Sequence, residues 1–259
     1  MTAILQPRLG SDRGVIEVRM LGSLQVSRAD GSLVEVHEWR TGKTADLLRI
    51  LAMHAGDPVA THSLMAALWP NSDRPHAQAS LRTAASQLRH VLGEGVVQRS
   101  LAGLRVTGIW VDLLALRALL SDARGAMRAG DLVAVQTIAR EADLLYRGEL
   151  RAHDDAADWV VTERRALAAT YQTLQSDAAE AAIALGNAAE GVDFAGRATT
   201  LDPFCERASR TLMHGYAATG NVSRALREYE RCRTLLAEEL GVDPSPQTRE
   251  VHLYLLRCG

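Results

Sequence analysis

The sequence predicts a mainly α-helical chain in two parts: a small sheet, three helices and a β-hairpin first, then helices alone. Three observations predict it. Alternating β-branched and apolar residues open the chain and give way to a helical period near residue 41; short alternating segments return near residue 96; and from residue 111 onward the period is helical throughout, with an internal repeat. A length of 259 residues suits about two domains. The expected boundaries are 1–14 for a loose leader, 15–111 for the first domain and 112–259 for the second.

Structure is expected to begin at Val15, where "VIEVRMLGSLQV" alternates. The turn "SRADG" then leads to "SLVEV", so residues 15–26 and 32–36 read as the arms of a hairpin. From Thr41, a plausible N-cap, Ala45, Leu47, Leu48, Leu51 and Ala52 follow helical spacing until Gly56-Asp57-Pro58. A shorter helix is expected at 61–69 and a third from Pro75 to Gly93. "VVQRS" and "LRVTG" read as two short strands around a Gly-containing turn. Sheet, three helices and hairpin in this order outline a winged helix-turn-helix.

After Val111 the expected helices are 113–129, 131–146, 156–186, 188–201, 204–219, 221–240 and 245–257. "GNAAEGVDFAGRATTL" from Gly186 aligns with "GNVSRALREYERCRTL" from Gly220 at an offset of 34, the tetratricopeptide (TPR) period. The second domain is therefore expected to be an all-α TPR-like helical-repeat domain.

Charge divides the chain the same way. Residues 1–111 carry 12 Lys and Arg against 9 Asp and Glu, and residues 112–259 carry 17 against 22. Residues 74–105 hold Arg74, Arg82, Arg89, Arg99 and Arg105 against Glu94 alone, which is where a polyanion would be drawn. Lys43 is the single lysine, so almost all positive charge is guanidinium, suited to forked phosphate and guanine contacts. Coding in a GC-rich genome accounts equally well for an Arg- and Ala-rich chain, though not for the clustering.

The third helix carries the most information. At ~100° per residue, Ala85, Leu88 and Leu92 fall within roughly 40° of Leu81 and form a core stripe. Ala79, Thr83, Ser86 and His90 lie opposite, flanked by Arg82, Gln87 and Arg89, with no acidic residue among them. A merely solvated face would carry Glu and Lys in i,i+4 pairs. An acid there would repel phosphate, whereas Arg, Gln, Ser and Thr bond to base edges and backbone, so double-stranded DNA is the expected partner. Arg99 and Arg105 on the hairpin are expected at flanking phosphates, with Lys43 and Thr44 as weaker candidates at a helix start.

Other classes find little support. "RTGKT" is not a phosphate-binding loop, because His37 stands where the first glycine is needed. No HExxH, GxSxG or CxxC occurs; Cys205, Cys232 and Cys258 are odd in number and far apart. "AHDDAAD" from Ala152 reads as a solvated loop with Asp158 capping the next helix, not as a divalent-ion site. No enzyme activity, cofactor or metal is expected. No apolar run approaches the ~18 residues of a membrane span, and a cytoplasmic, nucleoid-associated protein is expected.

Over residues 18–256 the chain resembles the SARP-type bacterial transcriptional activators, in which an OmpR-like winged helix precedes a bacterial transcriptional activation domain. The resemblance rests on "VRMLGSLQV", "LLRILAMHAGDPVATHSLMAALWP", "ASLRTAASQLRHVLG", "VDLLALRALL", "LLYRGEL", "DWVVTERRAL" and "GNVSRALREYERCRTLLAEELGVDPSPQTREV", whose Glu-Leu-Gly-Val-Asp-Pro-Ser ending is the most specific. It implies binding to direct repeats near promoters and recruitment of RNA polymerase, sigma factor included. Trp69, Asn71, Asp73 and Arg74 would face polymerase, Arg82, Thr83, Ser86, Gln87 and Arg89 the DNA, and Arg99 and Arg105 would lie on the wing. Two departures stand out: Leu104 follows Gly103 where the family has tyrosine, and Leu116 replaces a common aromatic. No sensor or ATPase domain is expected after Gly259, and whether two copies pair on DNA stays open. The alternative is a TPR-like scaffold whose main ligand is a peptide or small molecule, with the winged helix as a protein-interaction surface.

Overall fold

The computed structural model describes residues 14–258, the side chain of Cys258 excepted, so the expected leader lies outside the described residues save for Gly14. Two compact units emerge. The first takes the chain to Arg117 together with Leu144–Arg165; the second takes Ala118–Asp143 and everything from Ala166. A single cut near residue 111 therefore does not separate them.

In the first unit, β1 (Ile16–Arg19) pairs antiparallel with β2 (Gln25–Ser27), Val18 opposite Val26. The long hairpin arm expected at 15–26 is thus corrected to two strands. The break has a cause at the other end of the unit: the Asp112 carboxylate accepts the amides of Met20 at 2.9 and 3.0 Å and of Leu21 at 3.1 Å, removing the donors a continuing strand would use. Of the second arm, Leu33 bridges Ser27 and the Val34 amide donates to the Val26 carbonyl at 2.9 Å.

Three helices follow: α1 (Gly42–Met53), α2 (Thr61–Leu68) and α3 (Arg74–Leu92). Thr41 caps α1, its hydroxyl accepting the Thr44 amide at 3.3 Å. The hairpin is β3 (Val97–Ser100) and β4 (Gly103–Val106), Ser100 opposite Gly103. A strand not foreseen, β5 (Ile109–Val111), lies parallel to β1 and gives the sheet order β2-β1-β5. Leu47, Leu48, Leu51, Leu64, Leu68 and Leu88 form the fully buried centre, joined by Met20, Leu21 and Leu113.

Residues 144–165 complete this unit. Leu150 is fully buried and bridges Leu21, and the Gly22 amide donates to the Glu149 carbonyl at 3.1 Å. The His153 amide donates to Asp46 Oδ1 at 2.9 Å, the same oxygen that accepts Arg49 Nη1 at 2.9 Å within α1. The His153 ring lies so close to Gly42 that any Cβ there would overlap it, which explains a glycine at the first position of α1.

Beyond Val111 run α4 (Asp112–Ala129), α5 (Leu132–Leu145), α6 (Asp158–Ala184), α7 (Ala188–Leu201), α8 (Glu206–Ala218), α9 (Val222–Leu235) and α10 (Pro246–Cys258). The helix expected at 221–240 changes to a π turn over Leu236–Leu240 and ends at Gly241. In the second unit α7 and α9 begin and end 34 residues apart, as the repeat requires. Ala195 and Ala198 of α7, and Tyr229 and Cys232 of α9, are buried at equivalent places. Asn221 caps α9 by accepting the Arg224 amide at 3.2 Å, whereas Asn187 makes no such bond.

Candidate nucleic-acid interface

The site is built on α3. Asp73 caps it, its carboxylate accepting the His76 amide at 2.9 Å, and Pro75 sits in the first turn where its missing amide costs nothing. Leu81, Ala84, Ala85, Leu88, Val91 and Leu92 are buried. Ala79, Arg82, Thr83, Ser86 and His90 are exposed, and no residue of α3 is acidic.

The expected site residues separate into two groups. Arg82, Thr83, Ser86 and His90 share the outer face, and neither Arg82 nor Arg99 has a side-chain partner among the described residues. Gln87 and Arg89 turn inward instead. Gln87 Nε2 donates to the Glu38 carbonyl at 3.0 Å, holding the 3-10 turn Val36–Trp39, and Arg89 Nε donates to the Val97 carbonyl at 3.1 Å, holding β3. The chain's own carbonyls take one donor from each, so both side chains brace the scaffold from the half-buried margin of the face, while the outer nitrogens of Arg89 stay available. Arg105 Nε donates across the hairpin to Gln98 Oε1 at 3.0 Å, leaving its outer nitrogens available.

At the start of α1, Thr44 is 2% exposed and its hydroxyl lies 3.0 Å from that of Thr41, so it serves the cap and not a phosphate. Lys43 Nζ lies 4.0 Å from Asp154, which already meets part of its charge. Leading into α3, Trp69 is half-buried, Asn71 and the first helical residue Arg74 are exposed, and Asp73 is engaged as the cap.

The hairpin is held stiffly. Val59 and Leu104 exchange backbone hydrogen bonds of 2.7 and 3.0 Å, and at Gly103, φ +144°, a Cβ would overlap the Val59 carbonyl. Leu104, where the wing departs from the family, is buried beneath it. Arg28, which sequence reasoning missed, is a further brace: Nε donates to the Val91 carbonyl at 2.9 Å while the guanidinium also meets Glu38 and the Leu33 carbonyl. A lone Arg in a turn gives no signal of such a role.

An exposed helix face of one arginine, two hydroxyls and an imidazole, free of carboxylates and flanked by a rigid hairpin bearing Arg99, can accept an anionic, hydrogen-bonding surface. Residues 111–256 match the family model described as bacterial transcriptional activator domain. The chain belongs to the SARP-type transcriptional regulators. This SARP-type chain is 32% identical over 239 residues to the regulatory protein AfsR of Streptomyces coelicolor, covering 88% of the chain and 24% of AfsR. It is 28% identical over 268 residues to the transcriptional regulator RedD of the same organism, covering 96% of the chain and 73% of RedD. Among solved structures, Mycobacterium tuberculosis EmbR, in complex with a low affinity phosphopeptide, superposes with a TM-score of 0.77 at 28% identity, covering 95% of this chain and 65% of that one. The SARP-type chain thus spans about a quarter of AfsR. Among the described residues no helix is long and apolar enough to cross a membrane, and no cluster of His, Cys, Asp and Glu is arranged to hold a metal.

Proposed function

We propose that the chain is a sequence-specific DNA-binding transcriptional activator without catalytic activity, acting on nucleoid DNA. In this reading α3 enters the major groove, Arg82 forks onto a guanine, Thr83, Ser86 and His90 complete the base and phosphate contacts, and Arg99 meets a phosphate beside the groove. The observation that carries the reading is the acid-free outer face of α3, with Arg82 unpaired while Gln87 and Arg89 fix the scaffold behind it. Direct repeats near promoters are the proposed targets, and RNA polymerase the proposed partner through the segment around Trp69, Asn71 and Arg74. Reading of DNA is proposed for residues 15–111, within a compact unit that also takes in 144–165, and activation for 112–259.

The test is binding of the purified protein to fragmented genomic DNA at two salt concentrations, beside Arg82→Ala. Enrichment of a repeated motif upstream of genes, lost in the variant, is the expected result. Replacing Arg99 with Ala should weaken all sequences alike and lower the salt slope by about 1. Absence of any salt-sensitive binding would overturn the reading.

A further inference from the structure

The Glu-Leu-Gly-Val-Asp-Pro-Ser segment does more than end a helix. Its Ser245 donates both its amide, at 2.8 Å, and its hydroxyl, at 2.7 Å, to Glu206 at the start of α8. Ser245 in turn lies 3.2 Å from the hydroxyl of Thr248, which is fully buried, and Thr248 Oγ1 accepts Nη1 of Arg210 at 3.1 Å. The chain Glu206, Ser245, Thr248 thereby fixes one corner of the Arg210 guanidinium through a neutral hydroxyl, and no carboxylate forms a salt bridge with Arg210 among the described residues.

This differs from its neighbour one turn earlier. Arg207 is paired with two carboxylates, Glu180 at 2.7 Å on two nitrogens and Asp177 at 2.8 Å. Arg210 lines an open cleft of about 440 Å³ between α6, α8 and α10. Ile183 and Val251 give the cleft apolar walls, Thr211 and His214 continue the α8 stripe, and Glu250 lines it beside Glu180, which Arg207 already holds. Burial and the nearby Arg210 hold the His214 imidazole below its ordinary pKa, so it is present as a neutral donor or acceptor.

We infer that this cleft binds a small carboxylate carrying an aliphatic group, the carboxylate forking onto the free edge of Arg210 and the aliphatic part lying between Ile183 and Val251. A planar guanidinium already oriented by Thr248 loses little freedom on pairing, and the carboxylate receives two parallel N–H donors. Glu250 disfavours dianions, so one negative charge is the selected number. The two sources of such a group are a free acid and the C-terminal carboxylate of a peptide, and the chemistry is the same for both.

The experiment is calorimetric titration of the whole protein with hexanoate, with hexan-1-ol as the uncharged counterpart, and with N-acetyl-Ala-Leu against its C-terminal amide. Binding of an acid but not of its neutral counterpart is expected, at least tenfold weaker in Arg210→Gln. Because Arg210→Gln could loosen α10, Arg210→Lys keeps the charge without the fork, and an intermediate loss with an unchanged melting temperature is expected of it. Arg249→Gln, an exposed arginine on α10 away from the cleft wall, should bind as wild type. Preference for hexanoate assigns the cleft to a free acid, and preference for the peptide acid to a chain terminus. Failure of both acids to bind, or equal binding in the wild type and Arg210→Gln, would overturn the inference.

Discussion

The α3–hairpin region and the α7–α9 repeat use the same residue for opposite ends. In the repeat, Arg197 pairs with Asp143, Arg207 with Asp177 and Glu180, Arg231 with Glu228 and Arg233 with Glu230. In α3 and the hairpin, Arg89 is tethered through Nε to the Val97 carbonyl and Arg105 through Nε to Gln98, while Arg82 and Arg99 remain unpaired. A carbonyl fixes a guanidinium without neutralising it; a carboxylate does both. Positive charge therefore survives at Arg82 and Arg99 and is cancelled at these four arginines of the repeat, although both regions are rich in arginine. Two carboxylates of the first unit, Asp46 and Asp112, are buried, and Asp73 is engaged as the cap of α3.

The contrast breaks most severely if one of those buried carboxylates is removed. Asp112→Ala strands the amides of Met20 and Leu21 and takes an acceptor from Leu113, at about 1–3 kcal/mol for each unsatisfied donor. Urea denaturation should register a loss of at least about 3 kcal/mol. Burial pushes the Asp112 carboxyl above its ordinary value while these amides pull it back, so its role is to organise the strand end and not to carry surface charge.

Next in size is the split between Arg82 and Arg89. Arg82→Ala should cost about 1–3 kcal/mol in binding to a specific site and leave folding unchanged. Arg89→Ala should do the reverse at the level of stability, lowering it by about 1 kcal/mol through the lost tether to Val97. Melting curves beside binding isotherms separate the two, and equal losses in both readouts would erase the distinction.

Acid probes the other region. Burial pushes the Glu206 carboxyl up, but hydrogen bonds from Thr248 and Ser245 outweigh it, and the pKa sits below the ordinary 4.5. A carboxyl with a lower pKa folded than unfolded adds stability above its unfolded value and loses it as pH falls through the folded one. The stability gap between wild type and Glu206→Gln should thus be full above about pH 5 and close on acidification. The smallest effect belongs to Arg233→Ala, whose exposed partner Glu230 gives a pair too well solvated to move the melting temperature measurably.

Much of this was legible in the chain. The ends of α3 follow from Pro75 and Gly93, and α7 and α9 keep the offset of 34 to the residue, because local stops and periods decide them. β5 was not legible, since three residues acquire strand geometry only by lying beside β1 from the far end of the unit. Nor was the break after Arg19, which a carboxylate over ninety positions away imposes. On α3 the helical wheel placed every residue at its angle, yet it could not tell that Gln87 and Arg89, at the margin of the polar face, would find carbonyls within reach.

Residues 144–165 bear on how such regulators can be recombined. Leu150 fills the centre of the first unit, and His153 closes the start of α1 over Gly42. A chimera joined at residue 111 would import a reader and leave behind the plug that seals it, exposing Leu21 and stripping Asp46 of one donor. The smallest exchangeable cassette is discontinuous, and a change of DNA preference is more safely grafted as a few outer-face substitutions on α3 than as a domain.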